Sequence, residues 1–119
     1  MSAAQPPEIL LDGPVTVIRP GANFSSLFEN DLDDAGIRVE FAAQLQSPRL
    51  LLDLRHVRFV GSAFLGRCVA ICKVLSQRPE GQLALCELNS FARAAVSVTA
   101  LDQVLRVYDS YEEAVAALS

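Results

Sequence analysis

The sequence predicts one α/β domain with a mixed, mostly parallel central sheet of about five strands and about four helices. Three observations lead there. "RLLLDL" at 49–54 and "QLALCEL" at 82–88 are short, continuous apolar runs, the composition of strands covered on both faces. Between them lies a segment of helical length, closed by "RPEG". Strand-like and helix-like stretches then alternate to the end of the chain, which packs helices on a largely parallel sheet. At 119 residues there is room for one core and no second domain.

"PVTVIRP" is rich in β-branched residues and ends at Pro20-Gly21, so it reads as a short strand closed by a turn, with "EILLDG" before it as hairpin partner. Residues 22–31 show no clean period and are expected to be loop or weak strand. From Asp34 to about Gln46, Ile37, Phe41 and Leu45 recur every four positions, which predicts a helix capped by Asp33; Gly36 weakens its first turn by up to about 1 kcal/mol. A second helix is expected from about Ala63 to Arg78, with Ser62 as its cap. Asn89 or Ser90 caps a third through about Val98. "VLRVY" at 104–108 reads as the last strand, and Ser110 with Glu113 forms the capping box of a terminal helix. The domain is expected to span residues 8–119, preceded by a flexible lead, residues 1–7.

Composition excludes several functions. The hydrophobic content of 51% is too high for a disordered regulator, and no apolar run reaches the roughly 20 residues of a membrane span. "MSAAQPPEIL" has no basic region followed by a long apolar core, and a cytoplasmic location is expected. Cys68, Cys72 and Cys86 form no disulfide framework and are expected as free thiols. A net charge of −4 argues against a nucleic-acid binder. The charge is uneven, however. Residues 47–80 carry six Lys or Arg against two acids, while both flanking stretches are acidic.

Nothing marks an enzyme. His56 is the only histidine and has no triad-like neighbourhood, Asp12 and Asp53 are single acids at strand ends, and neither a P-loop nor GxGxxG is present. Cys68 and Cys72 share a helix face without a further ligand at metal spacing and read as small buried hydrophobes. No metal, cofactor or catalytic residue is expected.

Wound at 3.6 residues per turn, the helix after Ser62 divides into stripes. Leu65, Cys68, Val69, Cys72 and Leu75 are expected on the sheet, and Gly66, Ala70, Lys73 and Gln77 toward solvent. Phe64, Arg67, Ile71, Val74 and Arg78 form a third stripe that mixes apolar groups with arginines, which suits a docking surface or a wide core-facing side.

"LLLDLRHVRFVGSAFLGRCVAICKVL" together with "GQLALCELNSFARAAVSVTALDQVLRVYDSYEEAVAAL" resembles the STAS domain of bacterial anti-sigma factor antagonists. In that family a buried strand runs into Asp-Ser-Ser/Thr-Gly-Leu-Gly, and the first serine accepts phosphate. Here Gly61 stands at the Asp position, Ser62 at the phosphoacceptor, Ala63 at the second hydroxyl and Phe64 at the Gly, while Leu65 and Gly66 match. Later, Ala100 replaces the glycine of a Thr-Gly-Leu.

The resemblance implies a non-enzymatic protein-binding switch. The unmodified domain binds a serine-kinase anti-sigma factor, phosphorylation of the serine breaks the complex, and a phosphatase restores it. Arg58, Gly61, Ser62, Ala63, Phe64, Arg67 and Ile71 are the expected partner-binding residues, with Arg58 and Arg67 as candidate partners of the phosphate. A monomer or weak homodimer is expected. The substituted Asp leaves an alternative, a constitutive scaffold or adaptor of a signalling or lipid-transport assembly without phosphorylation. A nucleotide or small anion at the helix start is a third possibility with no dedicated motif.

Overall fold

A computed structural model describes residues 6–119. Most of the expected lead, residues 1–7, lies outside the described residues. The expected architecture is present. β1 (Glu8–Asp12) and β2 (Val15–Arg19) form a hairpin, and β4 (Arg49–Asp53), β6 (Gln82–Cys86) and β7 (Arg106–Tyr108) continue the sheet, with the short β3 (Ser26–Leu27) and β5 (Phe59–Val60) on either side of β4 in the chain. The helices are α1 (Val39–Ala43), α2 (Ser62–Ser76), α3 (Ser90–Val98) and α4 (Tyr111–Leu118).

The sheet order is β1-β2-β4-β6-β7. Among the described residues only the β1–β2 pair is antiparallel; the others run parallel, with Leu51 of β4 opposite Val17 on one side and Ala84 on the other. The apolar run at 49–54 therefore lies at the centre, where both faces of a strand must be apolar. Alternate residues serve two cores. Leu50, Leu52, Leu83 and Leu85 join Phe64, Ile71 and Leu75 of α2 in the larger one. Val15, Val17, Leu51 and Ala84 pack with Ala114 and Leu118 of α4 in the smaller.

Three details differ from expectation. The helix expected over 34–46 shrinks to α1, because Gly36 ends a preceding turn at φ +81° rather than weakening a helix in progress. Ile37 N–H reaches back to the Leu32 carbonyl there, the hydrogen bond of a helix stop, and the chain turns helical again at Val39. Asp33 is consequently not a cap. Ile37 and Leu45 are nonetheless buried as expected, while Phe41 between them is only half-buried. Secondly, β7 begins at Arg106 instead of 104, since Val104 and Leu105 N–H both bond the Leu101 carbonyl and stay in the preceding turn. Thirdly, β3 and β5 pair parallel in a separate two-stranded ribbon that the unpatterned segment 22–31 did not announce. Asn89 and Ser110 do cap α3 and α4, accepting from Ala92 N–H at 2.8 Å and Glu113 N–H at 3.1 Å.

Asp53, at the carboxyl end of β4, has no exposed surface. Arg19 Nε donates to it at 2.6 Å and Arg55 Nη2 at 2.8 Å, and the Arg55 backbone N–H adds a third donor at 3.2 Å. Burial alone would raise the Asp53 pKa. The hydrogen bonds from Arg55 and Arg19 outweigh it and hold the carboxyl below its ordinary value. Both guanidiniums also lie against the Tyr111 ring, 5.1 and 5.7 Å from its centroid, which ties the start of α4 to the sheet.

Asp53→Asn is expected to cost roughly 2–4 kcal/mol, near the lower end for a broken buried pair because Arg55 keeps a solvated side. The folded-state pKa is the depressed one. The contribution is therefore complete above the ordinary carboxylate pKa of about 4 and lost as pH falls below it. Urea unfolding of the two proteins at pH 7 and pH 3 checks this: the gap between them narrows at pH 3. A gap that stays constant would show that Asp53 is not held ionised by its arginines.

Candidate functional site

The site is built where β4 hands over to α2. Beyond Asp53 the chain turns, with Val57 N–H on the Leu54 carbonyl, and Arg58 and Phe59 N–H then both bond the Ser25 carbonyl. β5 follows, with Phe59 opposite Ser26 and Val60 opposite Leu27, and Gly61 N–H extends the ladder to the Leu27 carbonyl at 3.0 Å. Side chains alternate across such a ribbon. Leu27 and Val60 face inward and are buried. Ser26, Phe28, Phe59 and Gly61 share the outer face.

That outer face is aromatic. Phe28 is 51% exposed and Phe59 47%. Phe91, in the first turn of α3 and also 51% exposed, meets Phe59 edge-on with ring centroids 5.2 Å apart. Asn89 holds this corner together. Its carboxamide oxygen caps α3, and its Nδ2 donates to the Arg58 carbonyl at 2.8 Å. Exposed large aromatics grouped in this way are unusual on a surface with no partner.

Gly61 explains itself by Phe28. A Cβ built at position 61 would lie 2.8 Å from Phe28 Cδ1, closer than carbon atoms tolerate. The ring fills the space in which any other residue would begin its side chain. Gly61 also takes the cap position of α2 with an extended backbone, so Ser62 is the first helical residue and not the cap. Its side chain is exposed, and no described residue hydrogen-bonds its hydroxyl.

The structure separates the other expected site residues. Ala63 is half-buried beside Ser62, and Arg58 is exposed and in no ion pair among the described residues. Phe64 and Ile71 are fully buried in the larger core, which corrects their placement on a docking stripe. The side of α2 that faces the sheet is wider than one stripe, because α1 packs beside it and covers the adjoining positions. Arg67 is likewise committed: Nη1 donates at 2.9 Å both to Asp33 Oδ1 and to the Ile37 carbonyl, joining α2 to the α1 segment. Leu65, Val69 and Cys72, expected against the sheet, are only partly buried at the core margin.

Phe28, Phe59 and Phe91 are all absent from the residues that the sequence singles out, Phe59 because it reads as part of the lead into α2. Phe28 lies in a stretch without period, and Phe91 reads as one more apolar residue of a short helix. Burial raises the thiol pKa of Cys68, Cys72 and Cys86, and no three potential metal ligands cluster among the described residues.

Two outcomes follow. Phe64→Ala should lose about 3–5 kcal/mol in urea unfolding, as a buried ring does, whereas Phe59→Ala stays within about 0.5 kcal/mol. Gly61→Ala should cost about 1 kcal/mol in the wild type and close to nothing beside Phe28→Ala. Strict additivity of the last two would show that the ring does not rest on Gly61.

Scanned against protein-family models and against curated proteins, the sequence finds no match. Solved structures do match. An anti-sigma-factor antagonist (STAS) domain protein from Planctomyces limnophilus superimposes with a TM-score of 0.85 at 28% identity, over 98% of this chain and 100% of that one. An anti-sigma factor antagonist from Mycobacterium paratuberculosis gives 0.79 at 18% identity, over 94% and 92%. With the strand order and the buried central strand, these likenesses give the chain the fold of the STAS domains of anti-sigma-factor antagonists.

Proposed function

We propose that the chain is a non-enzymatic regulatory domain that binds a serine-kinase anti-sigma factor through the surface around Ser62, and that phosphorylation of Ser62 releases the partner. The observation that carries this reading is the exposed, unengaged Ser62 hydroxyl at the first turn of a 15-residue helix, beside three exposed aromatic rings. Phe28, Phe59 and Phe91 supply the apolar anchors of such an interface. Arg58, Gly61 and Ala63 border the serine; Phe64, Arg67 and Ile71 act from beneath by holding α2 in place.

A phosphate at Ser62 brings a charge of about −1.5 to −2 to the first turn, where unpaired backbone N–H groups and the positive end of the helix dipole accept it. Arg58 is the cation available to it, since Arg67 is held by Asp33. The same charge opposes burial of the aromatic face against a partner, which gives release a physical cause. Return to the binding form requires a phosphatase.

A second reading has its own observation. Gly61 stands where the motif that the sequence resembles has Asp, and Phe28 occupies the space in which a side chain there would begin. A constitutive adaptor would keep the aromatic surface and dispense with the switch.

Incubation with a purified serine-kinase anti-sigma factor and labelled ATP should place phosphate on the wild type and none on Ser62→Ala, and Ser62→Asp should weaken partner binding at least about tenfold. Equal labelling of Ser62→Ala would remove the site assignment. Unchanged partner binding by Ser62→Asp would favour the adaptor.

A further inference from the structure

β7 covers only part of its neighbour. Arg106, Val107 and Tyr108 stand opposite Ala84, Leu85 and Cys86, so Gln82 and Leu83, which begin β6, have β4 on one side and, among the described residues, no strand on the other. The edge of the sheet therefore carries a two-residue step. The chain does not fill it, because the hydrogen bonds of Val104 and Leu105 to Leu101 keep those residues out of the ladder. A cavity of about 480 Å³ opens at the step, between Cys72, Lys73 and Ser76 of α2 and Val104 and Arg106 of the opposite wall.

Shape and charge together define what fits. Gln82 N–H is bonded to the Pro48 carbonyl on the β4 side, so the backbone that faces the step is that of Leu83, 3% exposed and without a strand beside it, and an extended chain entering past Val104 can pair with it. Val104 is 62% exposed and Cys72 half-buried, which supplies an apolar contact beside that edge. Lys73 and Arg106 are the charged residues lining the cavity; both are exposed, and neither enters an ion pair among the described residues. In a chain of net charge −4 this is a locally cationic groove. It lies about 15 Å along the α2 axis from Ser62, so it is a separate surface.

We infer that this step binds an extended, carboxylate-bearing peptide segment of a partner protein. The segment continues the line of β7 beside Leu83, rests an apolar side chain on Val104, and sets its carboxylates against Lys73 and Arg106. A second copy docking its own β7 edge is disfavoured, because a symmetric contact would bring two Lys73–Arg106 sets together. The site does not depend on Ser62 being a switch.

The test is a ¹⁵N NMR titration of the full chain with a terminally blocked hexapeptide alternating Val and Glu, and with its Val/Lys counterpart. Saturable shifts at Leu83, Val104 and Arg106 with the Glu peptide alone are expected. Raising the salt concentration should weaken them, and the Lys73→Glu/Arg106→Glu variant, which alters two exposed side chains, should bind about tenfold more weakly or worse. Absence of saturable shifts, shifts confined to residues 58–63, or equal affinity for the Lys peptide would overturn the assignment. So would self-association without peptide that the double variant abolishes, since the edge would then belong to a second copy.

Discussion

The buried carboxylate of Asp53 is the constraint on which the rest of the structure depends. An ionised group with no exposed surface is costly unless it is fully paired, and here Arg19 of β2, Arg55 of the following turn and the Arg55 backbone all converge on it. That convergence sets the point at which the central strand ends and the direction in which the chain leaves it. Tyr111 lies against the same two guanidiniums, and Arg49 at the other end of β4 donates to the Leu118 carbonyl. The central strand thus holds both ends of α4 through charged groups while its leucines hold the cores.

The Ser62 surface inherits this rigidity. Between Asp53 and Ser62 the backbone is engaged in turn by Leu54, Ser25 and Leu27, and the side chain of Asn89 locks Arg58 to the start of α3. The first turn of α2 and the three aromatic rings are therefore presented by bonded backbone on every side. Phe64, Ile71 and Arg67 serve the same end from below, two by filling the core and one by clamping the α1 segment. A residue can be indispensable to a docking surface without touching the partner.

How much of this was legible in the sequence depends on whether the deciding interaction is local. The continuous runs at 49–54 and 82–88 name central strands because burial on both faces admits few other compositions. Asn89 and Ser110 name helix starts because a cap is made within three residues. The residue pattern around Gly61, Ser62, Leu65 and Gly66 likewise marked the start of α2. The stripes on α2 were less legible: period separates faces of a helix but does not say how many neighbours it has, and α1 turned the Phe64–Ile71 side inward. Gly36 was recognised as a weak helical residue, but whether a glycine weakens or ends a helix depends on what the next N–H can reach.

The sequence by itself determined the α/β order, the central strand and the serine at the head of a long helix. These follow from short-range patterns of burial and hydrogen bonding. Only the tertiary structure decided that Phe28 rests on Gly61, that Phe91 extends the same aromatic face, that Asp33 takes Arg67 away from Ser62, and that β7 stops short of Leu83. Each joins segments 32 to 34 residues apart in the chain or depends on where a strand begins to pair. Such contacts are set by how whole elements pack, and no spacing along the chain encodes them.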